Sequence, residues 1–221
     1  MRQLHLAIGP NGSGKTTFVT EFLAPELPNY PYVNADDIAK ARWPADPEAH
    51  AYEAAQVAAD TRAHLIASGT SFVAETVFSH PSKLDLIRLA QEAEYQVVLH
   101  VMLVPEELTV RRVDYRVRAG GHNVPEHKIR ERYHRVWPLA AEAILMTNRA
   151  VVYENSRSTG PSIVAEFVQG SPMGPVRWPE WAPAPLLSPV EIGPGVTGRP
   201  SHLPRGSWRT TQPSPAGSLG T

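Results

Sequence analysis

The stretch Leu4-His5-Leu6-Ala7-Ile8-Gly9-Pro10-Asn11-Gly12-Ser13-Gly14-Lys15-Thr16-Thr17 decides the fold. Its first five residues form a short, mainly apolar run cut off by Gly9-Pro10, the pattern of a buried parallel strand. From Gly14 to Leu23 the pattern is helical, and it stops before Pro25. Between strand and helix lies Gly-x-x-x-x-Gly-Lys-Thr, the spacing of a phosphate-binding loop. The glycines permit positive φ and let backbone amides turn inward around an anion. The helix that follows aims its free N–H groups and positive dipole end at the same point. Lys15 is placed to bridge the β- and γ-phosphates, and the Thr16 hydroxyl to ligate Mg²⁺. Gly9, Pro10, Asn11, Gly12, Ser13, Gly14, Lys15, Thr16 and Thr17 are therefore expected to hold ATP or GTP.

Outward from this loop, strand and helix signals alternate. Tyr32-Val33 reads as a second strand, and Asp36 to Arg42 as a helix with an acidic start. Pro47 to Ala67 is alanine-rich with an early proline, and reads as a long helix ending at Ser68-Gly69. Ser71 to Thr76 reads as a strand, Ser82 to Glu94 as a helix, and Gln96 to Val104 as a strand buried on both faces. Helices over Glu106 to Arg118 and Glu126 to Met146 follow, then a final short strand from Ala150 to Tyr153. The alternation predicts an α/β fold of nucleotide-kinase type, with a parallel sheet covered by helices on both faces. After Gly170 the composition changes: half of the chain's 22 prolines fall there, with many Gly and Ser and no apolar periodicity. Such a stretch buries too little to offset its ordering entropy. The organisation expected is a kinase domain over residues 1–170 and a disordered tail over 171–221. Trp178, Trp181 and Trp208 interrupt the tail's composition.

The 221 residues are 42% apolar and 19% charged, ordinary for a globular domain, and the net charge of −1 gives no global field for nucleic acid. The absence of cysteine excludes disulfides, thiolate metal sites and cysteine nucleophiles. No signal peptide and no membrane-length apolar run is visible, which points to the cytoplasm.

A phosphate loop does not specify an activity. The sequence has no guanine-reading Asn-Lys-x-Asp segment, no transporter-type signature, and no aliphatic strand ending in Asp. That leaves small kinases, whose second substrate sits above the ends of the neighbouring strands. Asp36, after the second strand, can accept the proton of an acceptor hydroxyl or hold the metal through water; equally, Asp36 or Asp37 can cap the following helix. Glu75 and Thr76 close the third strand. A carboxylate there is costly unless used or paired; it suits acceptor or metal-shell contacts, or a partnership with an arginine. From Arg111 to Arg135, eight cations face only Asp114, Glu126 and Glu131. This reads as an arginine-rich helical lid over about 106–135, hinged at Gly120-Gly121, in which guanidinium groups stabilise phosphoryl transfer. The alternative is a solvated helix face. Arg112, Arg116 and Arg132 are the residues expected to point inward, with Arg118 and Arg130 in reserve; His122 reads as a turn residue.

The motifs together resemble the zeta-toxin family of P-loop kinases, and more closely its short stand-alone bacterial branch. The resemblance rests on Gly9 to Thr17, Val33-Asn34-Ala35-Asp36, Glu75-Thr76-Val77-Phe78-Ser79, Arg112-Val113 with Arg116-Val117, Arg118 to Pro125, Ile129 to Tyr133, and Val152-Tyr153-Glu154-Asn155-Ser156. It covers residues 3 to 168. It implies ATP-dependent transfer of the γ-phosphate to a sugar hydroxyl, with UDP-N-acetylglucosamine as the acceptor type. It also implies Asp36 as the catalytic base, and Lys15 and Thr16 as nucleotide and Mg²⁺ ligands. Glu75, Thr76 and Arg112 correspond to acceptor contacts, and Arg116 and Arg132 to transition-state clamps. An inhibitory antitoxin would be a separate chain. Glu154 stands where related short proteins prefer Asp, and the proline-rich tail has no family counterpart. Two other readings stay open: a kinase for a nucleoside, an antibiotic hydroxyl or a polynucleotide end, and a non-catalytic nucleotide-dependent regulatory module.

Overall fold

The computed structural model describes residues 1–119 and 124–187. β1 (Gln3–Ile8) alternates its side chains between two apolar layers. Leu4, Leu6 and Ile8 enter the larger core, whereas Ala7 enters a smaller one with Phe18, Val19, Leu23, Val73 and Met102. The strand is buried on both sides because helices cover both faces of the sheet. On the first face lie α4 (Ala51–Ala67), α5 (Ser82–Glu92) and α7 (Glu126–Met146). Their buried Ala58, Ile66, Leu84, Ile87, Val136, Trp137 and Ala140 meet Phe72, Leu99 and Val152 from the strands. On the second lies the helix leaving the phosphate loop, which is α-helical over α1 (Lys15–Phe18), π-helical over Val19–Leu23, and α-helical again over α2 (Ala24–Glu26).

The sheet has seven strands in the order β2-β3-β1-β4-β5-β6-β7, with β2 at Tyr32–Val33, β3 at Phe72–Thr76, β4 at Gln96–Leu103, β5 at Arg149–Glu154, β6 at Ser162–Val168 and β7 at Ser171–Pro172. β1 to β5 are all parallel, in a register that sets Ile8 beside Thr76 and Val101. Their C-terminal ends therefore share one edge, and the chain order reverses at β1: β2 and β3 lie to one side, β4 and β5 to the other. In such sheets ligands bind at that reversal. α3 (Ala35–Arg42) follows β2, and α6 (Glu106–Arg118) follows β4.

Three expectations need correction. The long helix begins at Ala51 rather than Pro47, because Pro47 to His50 form a turn that the Asp46 carboxylate holds by accepting from Ala49 N at 3.0 Å. The strand at Ala150 is not the last, and the sheet is not wholly parallel. β6 (Ser162–Val168) and β7 (Ser171–Pro172) extend it antiparallel, with a register shift at Val152/Tyr153. The tail does not start at Ser171. Trp178 and Trp181 pack against the main core, and α8 (Ala184–Leu187) buries Leu186 there. The tryptophans offset the ordering cost that the prolines and glycines suggested. Trp208 and the rest of 188–221 lie outside the described residues.

A pair of histidines lies on the smaller core's side of the sheet. His5 Nδ1 and His100 Nε2 are 3.1 Å apart, sharing one ring proton, and the rings stack with centroids 5.4 Å apart. Burial, followed by the charge of Arg149, pushes His5 down to about 4. Burial, then His5 and Arg149, holds His100 well below its ordinary value. In the unfolded chain both titrate near pH 6.5. The unfolded state therefore binds more protons between about pH 6.5 and 4, and stability should fall as pH drops through that window. The urea midpoint measured at pH 7 and pH 5 should show this fall, and His5→Asn with His100→Asn should shrink it.

Candidate active site

The loop after β1 takes the conformation its glycines allow. Gly9, Gly12 and Gly14 have φ of 148°, 72° and 86°. At Gly9 and Gly12 the need is also steric. A Cβ on Gly9 would lie 2.7 Å from the Met102 carbonyl, and one on Gly12 would lie 2.8 Å from the Thr109 carbonyl. Ser13 N donates to the Pro10 carbonyl at 3.2 Å, closing the turn. Lys15 is buried, and its ammonium folds back to donate to the Pro10 carbonyl at 3.0 Å. Burial lowers its pKa, against which the carboxylates of Glu75 and Asp36 act. The buried Ser13 Oγ and Asn11 Oδ1 have no hydrogen-bond partner among the described residues. Loop amides, one buried cation and the unsatisfied Ser13 hydroxyl together fit a phosphate chain.

The loop is braced from behind by a residue that motif reading did not assign a role. Asn155 follows β5, and its Nδ2 donates to the Ser13 carbonyl at 2.8 Å. Arg112 of α6 donates to the Asn155 carbonyl at 2.9 Å and to the Gly12 carbonyl at 3.4 Å. Arg112 thus joins α6, the phosphate loop and the end of β5. Asn155 stood in the sequence only as part of Val152-Tyr153-Glu154-Asn155-Ser156, a motif of the zeta-toxin resemblance with no role attached to this residue.

On the other side of the loop, Glu75 organises the ends of β1, β2 and β3. The Thr16 hydroxyl donates to Glu75 Oε1 at 2.9 Å, and the Tyr32 hydroxyl donates to Oε2 at 2.5 Å. Asn34 Nδ2 donates to the Tyr32 oxygen at 2.9 Å. Burial and then the Glu75 charge raise the Tyr32 pKa, so the phenol stays a donor. Glu75 is therefore paired with two hydroxyls rather than an arginine. Thr16 and Glu75 supply adjacent hard oxygens, and no cluster of three or more potential metal ligands exists among the described residues. Mg²⁺ is characteristically held by one or two protein oxygens plus substrate phosphates, so this pair fits it.

The cap of α3 decides one alternative left open by the sequence. Asn34, in extended conformation, accepts from Asp36 N at 2.8 Å and is the N-cap; neither Asp36 nor Asp37 fills that role. The Asp36 carboxylate is exposed and makes no hydrogen bond or ion pair among the described residues. It faces a cleft of about 1030 Å³ that also takes in Gly12, Gly14, Lys15, Thr16, Glu75 and Thr76. Phe78, two residues beyond Thr76, is buried with φ 63°, a strained conformation at the cleft wall.

Seven of the lid's eight cations separate into two groups, and the eighth, Arg111, is exposed on α6. Arg112, Arg116, Lys128 and Arg132 line the cleft. Arg130 instead binds Glu107 at 2.6 Å, Glu126 at 2.9 Å and Glu106 at 3.3 Å. Arg118 pairs with Asp114 and Arg135 with Glu131, each one helical turn away. Two of Arg130's partners, Glu106 and Glu107, precede the segment whose charge was counted. Between α6 and α7, Val113, Val124 and Ile129 form a small core of their own. The hinge Gly120-Gly121 and His122 lie outside the described residues.

Residues 4–138 match the AAA domain family (AAA_33). No curated protein sequence matches the chain significantly. Among solved structures, the chain is similar to that of AvrRxo1-ORF1:-ORF2 with ATP. The TM-score is 0.58 at 17% identity, covering 78% of this chain and 60% of that one. It is also similar to a structure from the PezAT chromosomal toxin-antitoxin system of Streptococcus pneumoniae. There the TM-score is 0.55 at 15% identity, covering 75% of this chain and 71% of that one. A third likeness is to the Pnkp1/Rnl/Hen1 RNA repair complex, with a TM-score of 0.53 at 22% identity over 64% and 46%. The chain thus spans less than two thirds of the first of these chains. At such identities the likeness is one of fold, and it is to the kinase-like P-loop architecture that the zeta-toxin resemblance implied. With its phosphate loop, sheet order and matched residues, the chain belongs to the AAA domain family of P-loop proteins and has an α/β fold of nucleotide-kinase type.

Proposed function

We propose that the protein is an ATP-dependent phosphotransferase that moves the γ-phosphate to a hydroxyl of a small molecule, with a UDP-N-acetylglucosamine-type sugar nucleotide as acceptor. The observation that carries the reading is Asp36: a carboxylate released from helix capping by Asn34, facing the same cleft as the phosphate loop. The acceptor oxygen forms a bond to the γ-phosphorus while the bond to the β-phosphate oxygen breaks. ADP leaves, and the hydroxyl proton passes to Asp36. Lys15 holds the β- and γ-phosphates. Arg116 and Arg132 bear on the oxygens that gather charge during transfer, and Arg112 keeps the loop and α6 together. Glu75 and Thr76 border the acceptor, and Thr16 with Glu75, which are hydrogen-bonded to each other, would hold Mg²⁺. Mg²⁺ neutralises charge on the phosphate oxygens when bound. The reading places the protein in the cytoplasm, where ATP is available; no helix among the described residues is long and apolar enough to cross a membrane. The likeness to a chain of a toxin-antitoxin system supports a separate antitoxin chain as partner.

The test is turnover of ATP with Mg²⁺, with and without UDP-N-acetylglucosamine, products being read by mass. A phosphorylated sugar nucleotide is expected. Asp36→Asn should cut transfer by about 10²–10⁴-fold while ATP affinity changes little. Undiminished transfer in that variant removes Asp36 as the base. ATP binding with no phosphorylated sugar in the unaltered protein rejects the acceptor and leaves the kinase chemistry to be tried on other hydroxyls.

A further inference from the structure

Along α4, the residues Ala54, Ala58, Arg62 and Ile66 succeed one another at four-residue intervals, and all four are buried. Three are apolar, as the inner stripe of a core helix requires. The fourth is an arginine, exposed over only 6% of the residue's surface. A buried charge is costly unless it is paired and hydrogen-bonded. Arg62 has neither an ion pair nor a hydrogen bond from its side chain among the described residues. Burial lowers its pKa, and no carboxylate opposes that.

Lys83, the second residue of α5, is half-buried and equally without an acidic partner among the described residues. Its pKa is lowered by burial first and by the Arg62 charge second, so the two cations act on each other. Both line the cleft that holds Asp36 and the phosphate loop. Two partly desolvated cations sharing one space repel unless an anion joins them. The nucleotide has its own cations in Lys15 and the α6–α7 arginines. Arg62 and Lys83 come instead from the helices before and after β3, on the side of β1 where β2 delivers Asp36.

We propose that Arg62 and Lys83 form an anion subsite for the acceptor, taking a phosphate, diphosphate or carboxylate group of that molecule and leaving its hydroxyl at Asp36. The guanidinium fork matches such planar or tetrahedral oxyanions two oxygens at a time. The inference rests on the reading of the cleft as a kinase acceptor site. It narrows the substrate class to acidic molecules, and excludes neutral sugars and nucleosides.

Calorimetry on the full-length protein tests it, with the phosphate loop first saturated by Mg²⁺ and a non-hydrolysable ATP analogue. Pyrophosphate is then titrated, and succinate in a parallel experiment. A second binding event is expected. Tighter binding of pyrophosphate assigns the site to phosphate groups, and tighter binding of succinate assigns it to carboxylates. Arg62→Met and Lys83→Met should each weaken it by about tenfold or more, with affinity for the analogue unchanged. Arg62→Met should also leave the urea midpoint of the ligand-free protein unchanged or higher, because an unpaired buried charge has been removed. No second event in the unaltered protein, or equal binding in the variants, overturns the subsite. So does a lower urea midpoint in Arg62→Met with anion binding intact, which would make Arg62 a packing residue. Because no transfer is measured, these outcomes are distinct from failure of the kinase reading. Anion binding without turnover would sink the latter and spare the former.

Discussion

Lys15→Met is expected to lower phosphoryl transfer by about 10³-fold or more and to weaken ATP binding in the same protein. The ammonium is buried beneath the loop, where its interaction with phosphate is not diluted by water. Its present acceptor is a single carbonyl, that of Pro10. Glu75 and Asp36 act against the lowering of its pKa by burial, whereas Arg116 adds to it, so the carboxylates of the β2–β3 side favour the charged form. Methionine keeps the length and the apolar stem while removing the charge, so loop geometry should survive. The thermal midpoint without nucleotide should not fall, since a desolvated cation has been deleted. Nucleotide titration and ADP release, measured side by side, separate the effects. Transfer within tenfold of the unaltered protein would show that Lys15 does not reach the phosphates.

Gly9→Ala should damage the domain as well as the site. The residue sits at φ 148°, where side chains are rare, and a Cβ would meet the Met102 carbonyl at 2.7 Å and Met102 Cβ at 3.2 Å. Both atoms belong to β4, a central strand paired on both edges, which has little room to yield. Backbone strain and overpacking together should cost about 3 kcal/mol. For a domain of this size that corresponds to a fall of roughly 6–12 °C in thermal midpoint. ATP affinity should fall with it, because the first turn of the loop opens where Gly9 departs from β1. An unchanged midpoint would mean that β1 and β4 can separate locally at no cost.

The sheet was legible where hydrophobicity is nearly continuous, as in Gln96 to Leu103, and the helices where apolar spacing is regular, as in α6 and α7. β6 is not legible in the sequence because Ser162 to Val168 lies at the side of the sheet, half-covered, and shows no strong alternation. The stretch around Trp178 and Trp181 reads as tail in the sequence because composition records prolines and glycines but not the core contacts two tryptophans make. Within the site, the phosphate loop was readable because its chemistry is local: one turn, one lysine, one threonine. The Asn34 cap was not, since Asn34, Asp36 and Asp37 are chemically similar candidates and only backbone conformation chooses among them. Arg62 left a trace in the sequence, a cation four residues beyond Ala58 on an alanine stripe, but which face of α4 is buried depends on packing. Asn155 belongs to a motif of the resemblance, but its role is not legible there, because a brace between distant segments has no spacing to recognise.

That brace has a consequence for the order of events during synthesis. The bond from Asn155 to Ser13 joins residues 142 positions apart. The phosphate loop leaves the ribosome ahead of its support, which arrives only after β5 has been made and paired with β4. Until then the loop lacks both the Asn155 amide and the seat that Arg112 finds on the Asn155 carbonyl. Nucleotide stabilises only the form that binds it. ATP in the surrounding cell is therefore of no help to the nascent chain in starting to fold; it can act only as a clasp on a domain already assembled.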